Sequence, residues 1–307
     1  MQPEPPQSAA SASRSREALG LSAVIFVNLL WAMSFPATAI AVRTIPSILL
    51  TLIRLGVATL VLSPWWWFGG GRRLWNKRIL LLAAFLGVMG FTFPVFLETD
   101  GLRLSSPAIA AIAIAMEPLF TTVLSAIASR ERLPLRRWLA LLLALIGAYA
   151  IAGFPRPGNP GYLAGDLLMM LAVMCYAIYN VYSKRLTDKV DSMPAAASAL
   201  TFGFLGTIPL WFLAGQPLVR VWTSAGIFST GYLALLSTAG AYVLWNLILR
   251  VFHVSFAALF LYMQPVFGVL LSVLIVHVAP EWYFYIGAVI ILFSIFLGRT
   301  KREETTQ

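Results

Sequence analysis

The sequence predicts an all-α integral membrane protein whose ten transmembrane helices form two inverted five-helix repeats. Three observations lead there. Of the 307 residues, 60% are apolar and only 11% charged, against ~45–50% and ~25% in soluble globular domains. Apolar runs of about 20 residues, the length that spans a ~30 Å hydrocarbon core at 1.5 Å per residue, recur along the whole chain. The chain also resembles itself at an offset of about 147 residues. The first observation excludes an ordinary soluble enzyme, a nucleic-acid-binding module and a disordered regulator, because so much exposed apolar surface would precipitate.

Residues 1–17 are polar and rich in Pro, Ser and Ala, and read as a disordered tail. Spans follow at 18–41, 47–68, 79–98, 106–128 and 137–154, then at 162–183, 193–213, 226–249, 254–276 and 282–298. The first span is too long for a cleaved signal peptide and leads into further spans. Connections are short, so no soluble domain is inserted. Residues 18–154 form the first five-helix repeat, 162–298 the second, and 299–307 a second tail.

The charges test this count. With a cytoplasmic N-terminus, the inside segments carry Arg14 and Arg16, then Arg72, Arg73, Lys77 and Arg78, then Arg130, Arg132, Arg136 and Arg137. Further inside fall Lys184, Arg185 and Lys189, then Arg250, and finally Arg299, Lys301 and Arg302. That places 17 Lys and Arg inside and four outside (Arg43, Arg103, Arg156 and Arg220), with Arg54 inside a span. Short cytoplasmic loops collect Lys and Arg, so both termini are expected in the cytoplasm. The net charge of +10 is then a topology signal that needs no nucleic acid. Anionic lipid headgroups are its expected partners.

The internal repeat pairs Pro118 with Pro265, Phe120 with Phe267, Ala110-Ala111 with Ala257-Ala258 and Leu102-Arg103 with Leu249-Arg250. Nearer the start an offset of 145 pairs Gly20 with Gly165, Trp31 with Tyr176 and Ala32 with Ala177. Five spans per repeat is an odd number, so the second repeat enters the membrane from the opposite side. Inverted repeats mark secondary transporters, whose solute site lies near the midplane at the repeat interface.

The costly residues come next. Glu117 sits ~16 Å below the outer end of span four at 1.5 Å per residue, where a carboxylate normally faces a cavity or a partner. It reads as a proton-coupling site, a ligand for a substrate amine, or a hydrogen-bonding group between helices. Pro118 follows it and kinks the helix, as Pro265 does in span nine. Gln264 lies at the same depth as Glu117 from the other side, and carbonyls freed by the kinks can bind solute or a cation. Arg54, ~11 Å below the outer face, could bind a substrate carboxylate, pair with Glu117, or snorkel outward. Glu98 and Asp100 are expected at the solvated outer rim.

Polar and aromatic faces supply the remaining candidates. Tyr176, Tyr179, Asn180 and Ser183 share one face of span six by their i, i+3, i+4, i+7 spacing. Asn28, Trp31 and Phe35 do so in span one, and Tyr242, Trp245 and Asn246 in span eight. The substrate-cavity candidates are thus Trp31, Arg54, Glu117, Tyr176, Tyr179, Asn180, Tyr242, Trp245 and Gln264. Trp65, Trp66 and Trp67 read as an interfacial belt. Ala140, Ala144 and Ala148 form a small-residue row for close packing within the protomer or in a homodimer.

Other chemistry lacks its residues. One cysteine, Cys175, permits no internal disulfide. Two histidines, His253 and His277, give no basis for a zinc site. No phosphate-binding loop is present, and no cofactor or metal is expected.

Three blocks carry a family resemblance: Leu30-Trp31-Ala32-Met33-Ser34-Phe35; Arg54 after Pro46; and Glu117-Pro118-Leu119-Phe120 followed by Glu131-Arg132-Leu133 and Gly147. Together they resemble the EamA-type members of the drug/metabolite transporter superfamily over residues 18–298. In the second repeat Gln264 stands where Glu117 does, Val278 opposite Glu131 and Ser294 opposite Gly147. The resemblance implies a ten-helix inner-membrane exporter with a central cavity lined by spans 1–4 and 6–9, and with spans 5 and 10 peripheral. It makes Glu131 a structural marker. The expected function is secondary transport of a small organic metabolite such as an amino acid, by alternating access with Glu117 as the proton-coupling candidate. A passive channel, or an integral membrane enzyme, are the alternatives.

Overall fold

The computed structural model describes residues 7–69, 75–104, 112–130, 132–154, 163–219, 221–276 and 281–298, and every regular element among them is helical. Expectations that rest on Ala110, Ala111, Glu131, His277, Val278, Arg72, Arg73, Arg156, Arg220, Arg299, Lys301 and Arg302 fall outside the described residues.

Helix α1 spans Gln7–Ala41. Its backbone is already helical where the sequence suggests a disordered tail, and its Ala-rich start has strong helix propensity. The stretch apolar enough to cross a membrane begins at Leu19. Next come α2 (Ser47–Phe68), α3 (Lys77–Leu104) and α4 (Ile112–Ser129). Then follow α5 (Leu135–Ile151), α6 (Leu163–Thr187), α7 (Ser192–Leu213) and α8 (Ser224–Val251). Helix α9 runs through Val254–Leu259, a 3-10 turn at Phe260–Tyr262, and Met263–Val276. Helix α10 spans Trp282–Gly298. Among the described residues eight helices are long and apolar enough to cross a membrane. Helices α5 and α10, at 17 residues each, reach only about 25 Å by their rise, short of the ~30 Å core.

Helix starts follow local chemistry. The Asn76 side chain accepts from the Arg78 amide at 2.9 Å ahead of α3, and Thr223 accepts from the Gly226 amide at 3.1 Å ahead of α8; both satisfy donors that a first turn leaves open. Pro46 and Pro134 precede α2 and α5. Arg130, at φ 55°, ends α4 in the left-handed region. Within the helices, hydroxyls bond back to the preceding turn: Thr51 to the Ser47 carbonyl, Thr99 to Val95 and Thr207 to Gly203. Such bonds dispose of polar groups where water is absent. Large apolar side chains such as Leu60, Leu135, Phe228 and Leu274 remain exposed, as a lipid-facing surface requires.

The pairings fix relative helix directions. Between α1 and α8, Gly20 meets Phe252, Trp31 meets Tyr242, and Thr44 meets Gly226. One number rises as the other falls, so these helices are antiparallel. Helices α3 and α6 are antiparallel by the same criterion, through Phe85 with Tyr182, Phe91 with Tyr179, and Gly101 with Met169. Helices α3 and α7 are parallel, since Gly87 lies against Ala199 and Thr92 against Gly206.

Helices α5 and α10 pack chiefly on each other, also antiparallel, with Ala140 near Gly298, Gly147 at Gly287, and Gly153 near Tyr283. A Cβ on Gly147 would stand 2.8 Å from the Gly287 carbonyl oxygen, and one on Gly287 2.6 Å from the Gly147 carbonyl oxygen. Only paired glycines allow that approach. The row of Ala140, Ala144 and Ala148 is buried, and at Ala140 it meets α10 of the same protomer.

Candidate functional site

The breaks in α4 and α9 create the site. Pro118 has no N–H, so the Ile114 carbonyl loses its partner four residues on. The helix interrupts at Met116, whose amide is shared between the Ile112 and Ala113 carbonyls at 3.2 and 3.0 Å, and restarts at Glu117. In α9, Pro265 withholds a donor from the Leu261 carbonyl, and Leu261 sits within the 3-10 turn Phe260–Tyr262. Glu117 and Gln264 each stand one residue before their proline. Both line one cavity, together with Trp31, Ser34 and Phe35 of α1, Arg54 of α2, Glu98 of α3, Ile114 of α4, Tyr176 and Asn180 of α6, and Tyr242 of α8.

Helix α6 organises the polar part. Asn180 donates through Nδ2 to Glu117 Oε1 at 2.9 Å and to Thr121 Oγ1 at 3.3 Å. Its Oδ1 accepts from Trp245 Nε1 at 2.9 Å. An indole nitrogen is only ever a donor, so Trp245 fixes the amide orientation and directs Nδ2 at the carboxylate. Four residues earlier, the Tyr176 hydroxyl donates to Glu98 Oε2 at 2.5 Å. Arg54, 5% exposed, donates through Nε to Thr238 Oγ1 and through Nη2 to Ser237 Oγ. Both hydroxyls sit in a π-helical stretch of α8, Leu233–Gly240, where one extra residue per turn widens the helix. Trp31 Nε1 donates to the Ser237 carbonyl at 3.1 Å. Among the described residues no ion pair joins Arg54 to Glu117.

Seven sequence candidates meet at this cavity: Trp31, Arg54, Glu117, Tyr176, Asn180, Tyr242 and Gln264. Tyr179 and Trp245 do not line it. Neighbouring residues on a helix point about 100° apart, so with Asn180 on the cavity wall Tyr179 turns into packing. There it contacts Phe91 and Tyr242 at 5.2 and 5.6 Å between ring centroids, and its hydroxyl donates to Asn246 Oδ1 at 3.3 Å. Trp245 is fully buried, 5.3 Å from Trp31 by ring centroids. Asn28 donates to the Val24 carbonyl at 2.8 Å, within its own helix.

Glu98 lines the cavity and accepts from Tyr176, in place of the expected solvated outer rim. Helix α3 continues to Leu104, with Asp100 and Arg103 paired at 2.9 Å near its end; Glu98 therefore lies more than a turn inside. The hydroxyls that hold Arg54 were also missed, because a widened helical turn leaves no periodic signal in the sequence. Among the described residues no wall of this cavity comes from α5, α7 or α10, so α7 departs from the expected lining by spans 6–9. Among the described residues no group of three His, Cys, Asp or Glu could hold a metal.

Among the described residues, eight helices are long and apolar enough to cross a membrane, and both halves of the chain contribute walls to the cavity; such an arrangement suits a membrane transporter. The EamA-like transporter family matches residues 18–153 and 163–299, and the chain belongs to that family. It is 25% identical over 276 residues to an uncharacterized transporter of Archaeoglobus fulgidus, covering 89% of this chain and 95% of the relative. It is 24% identical over 282 residues to the uncharacterized transporter YoaV of Bacillus subtilis, covering 90% and 94%. With the uncharacterized inner membrane transporter YedA of Escherichia coli it shares 26% identity over 262 residues, 84% of each. A solved crystal structure matches the fold with a TM-score of 0.72 at 21% identity, covering 92% of this chain and 96% of the other.

Proposed function

We propose that this protein is a secondary transporter that exports a small organic solute across the bacterial inner membrane by alternating access, coupled to protons through Glu117. One observation carries the reading: residues from both halves of the chain, Glu117 with Arg54 and Trp31 from one, Asn180 with Tyr242 and Gln264 from the other, line the same cavity. A solute there would contact both halves at once, so rocking one half against the other would expose it to either side. The aromatic walls would hold its apolar part and the charged groups its polar part.

The helix directions favour ten crossings, with 18–154 and 162–298 as inverted repeats. Helix α6 runs antiparallel to α3, which requires three reversals and therefore a crossing by α5. Helix α10 runs antiparallel to α5, its counterpart in the other repeat. With 17 of the 21 Lys and Arg outside the spans on one side, the termini fall in the cytoplasm.

Counterflow in proteoliposomes tests the function. Vesicles preloaded with unlabelled solute should accumulate labelled solute transiently, and the rate should saturate. Flux that rises linearly with concentration and shows no exchange would mean a passive channel.

A further inference from the structure

The charges facing the cavity are unequal. Glu98 and Glu117 bring two carboxylates and Arg54 one guanidinium. The Arg54 donors go to two neutral hydroxyls, so no bonded carboxylate cancels its charge. Each carboxylate accepts one neutral donor from α6 on a single oxygen: Tyr176 at Glu98 Oε2 and Asn180 at Glu117 Oε1. Among the described residues the other oxygens, Glu98 Oε1 and Glu117 Oε2, carry no protein donor. Tyr176 and Asn180 stand four residues apart, about 6 Å along the helix axis. Adjacent turns of α6 thus hold both carboxylates at one cavity, where a protonated amine can offer each of the open oxygens a charge-assisted hydrogen bond. Trp31, Phe35 and Tyr242 add aromatic surface, which attracts a cation by its negative ring face.

We infer that the cavity takes a small amphipathic monocation, whose protonated amine lies between Glu98 and Glu117, and that one such cation exchanges for one proton. This rests on the transporter reading and specifies its solute. Two ionised carboxylates and Arg54 leave the empty cavity with a net charge of −1. Uncompensated charge is costly in a low-dielectric interior. One proton on either carboxylate neutralises the cavity, and so does one monocation. The cation leaves toward one side as a proton from that side takes its place on a carboxylate, and no net charge crosses. A zwitterion would leave the charge at −1 and an anion at −2. Titratable and charged neighbours of the two carboxylates are Arg54 from α2, Tyr176 from α6 and Tyr242 from α8; the α1 and α9 walls contribute none.

Three probes with the same phenyl body separate the possibilities: phenethylamine (+1), phenylalanine (zwitterion) and phenylpropionate (−1). Binding to the purified full-length protein is read as a thermal shift across pH. Phenethylamine should bind tightest, and its apparent Kd should rise as pH falls, with a slope of one proton. Glu98→Gln and Glu117→Gln should each weaken it by about tenfold or more, the loss expected of a charge-assisted hydrogen bond, and should flatten the pH slope. Tyr176 and Asn180 can still donate to either glutamine, so both variants keep their local bonding. Tighter binding of phenylalanine or phenylpropionate overturns the inference while leaving the transporter reading intact, as does phenethylamine binding that ignores pH or both substitutions. Binding by none of the three overturns it as well. Failure of counterflow with every solute tried overturns the transporter reading itself.

Discussion

Glu117 sits where an ionised group costs several kcal/mol unless it is bonded or neutralised. The structure supplies one firm donor, Asn180, itself held by Trp245. Glu117→Gln keeps the acceptor oxygen for Asn180 but cannot ionise. The variant should insert and fold normally, lose pH-dependent net efflux, and retain solute exchange, which need not move the proton. Parental net rates and pH profile in proteoliposomes would make Glu117 a hydrogen-bonding residue alone. Glu117 was legible in the sequence because intramembrane charge is rare and expensive. Gln264 was legible through its repeat-related proline. Glu98 was not, because the apolar run weakens at Thr99-Asp100 while the helix goes on, so depth counted from the end of the run came out too shallow. Tyr179 and Trp245 share helical spacing with true wall residues. Spacing alone does not say which edge of a polar stripe meets the cavity and which meets the neighbouring helix.

At the scale of the element, the bounds of most helices follow from apolar length and local caps, while their irregularities do not. The widened turn Leu233–Gly240 that brings Ser237 and Thr238 to Arg54 has no counterpart in the sequence pattern. Prolines did reveal the breaks in α4 and α9, because a missing N–H has a fixed consequence. Among the described residues helices α5 and α10 build no wall of the cavity and serve as a packed pair. Gly287→Leu tests that role. Its added side chain would start 2.6 Å from the Gly147 carbonyl oxygen and 2.8 Å from Ile151. Overpacking of this kind costs about 1–3 kcal/mol, so the thermal midpoint in detergent should fall. Solute affinity at the central cavity should stay at the parental value, since neither helix reaches it. An unchanged midpoint would mean that the two helices do not pack through these glycines.

For the whole molecule, composition carried the all-helical membrane class, and a solved structure of similar fold aligns over 92% of the chain. The solute's charge was not legible, because it depends on how many ionisable groups converge on one cavity, and that number includes Glu98, which the end of the apolar run puts at the rim. The account depends throughout on two halves that enter the membrane from opposite sides and meet at the cavity. Alkaline phosphatase, active only outside the cytoplasm, tests this when fused after Phe154 and, separately, after Gln307. Five crossings should place Phe154 outside, and ten should return Gln307 to the cytoplasm. We expect strong activity from the first fusion and none from the second. Activity of both fusions, or of neither, would put the two ends of the second half on the same side and contradict the inverted repeat.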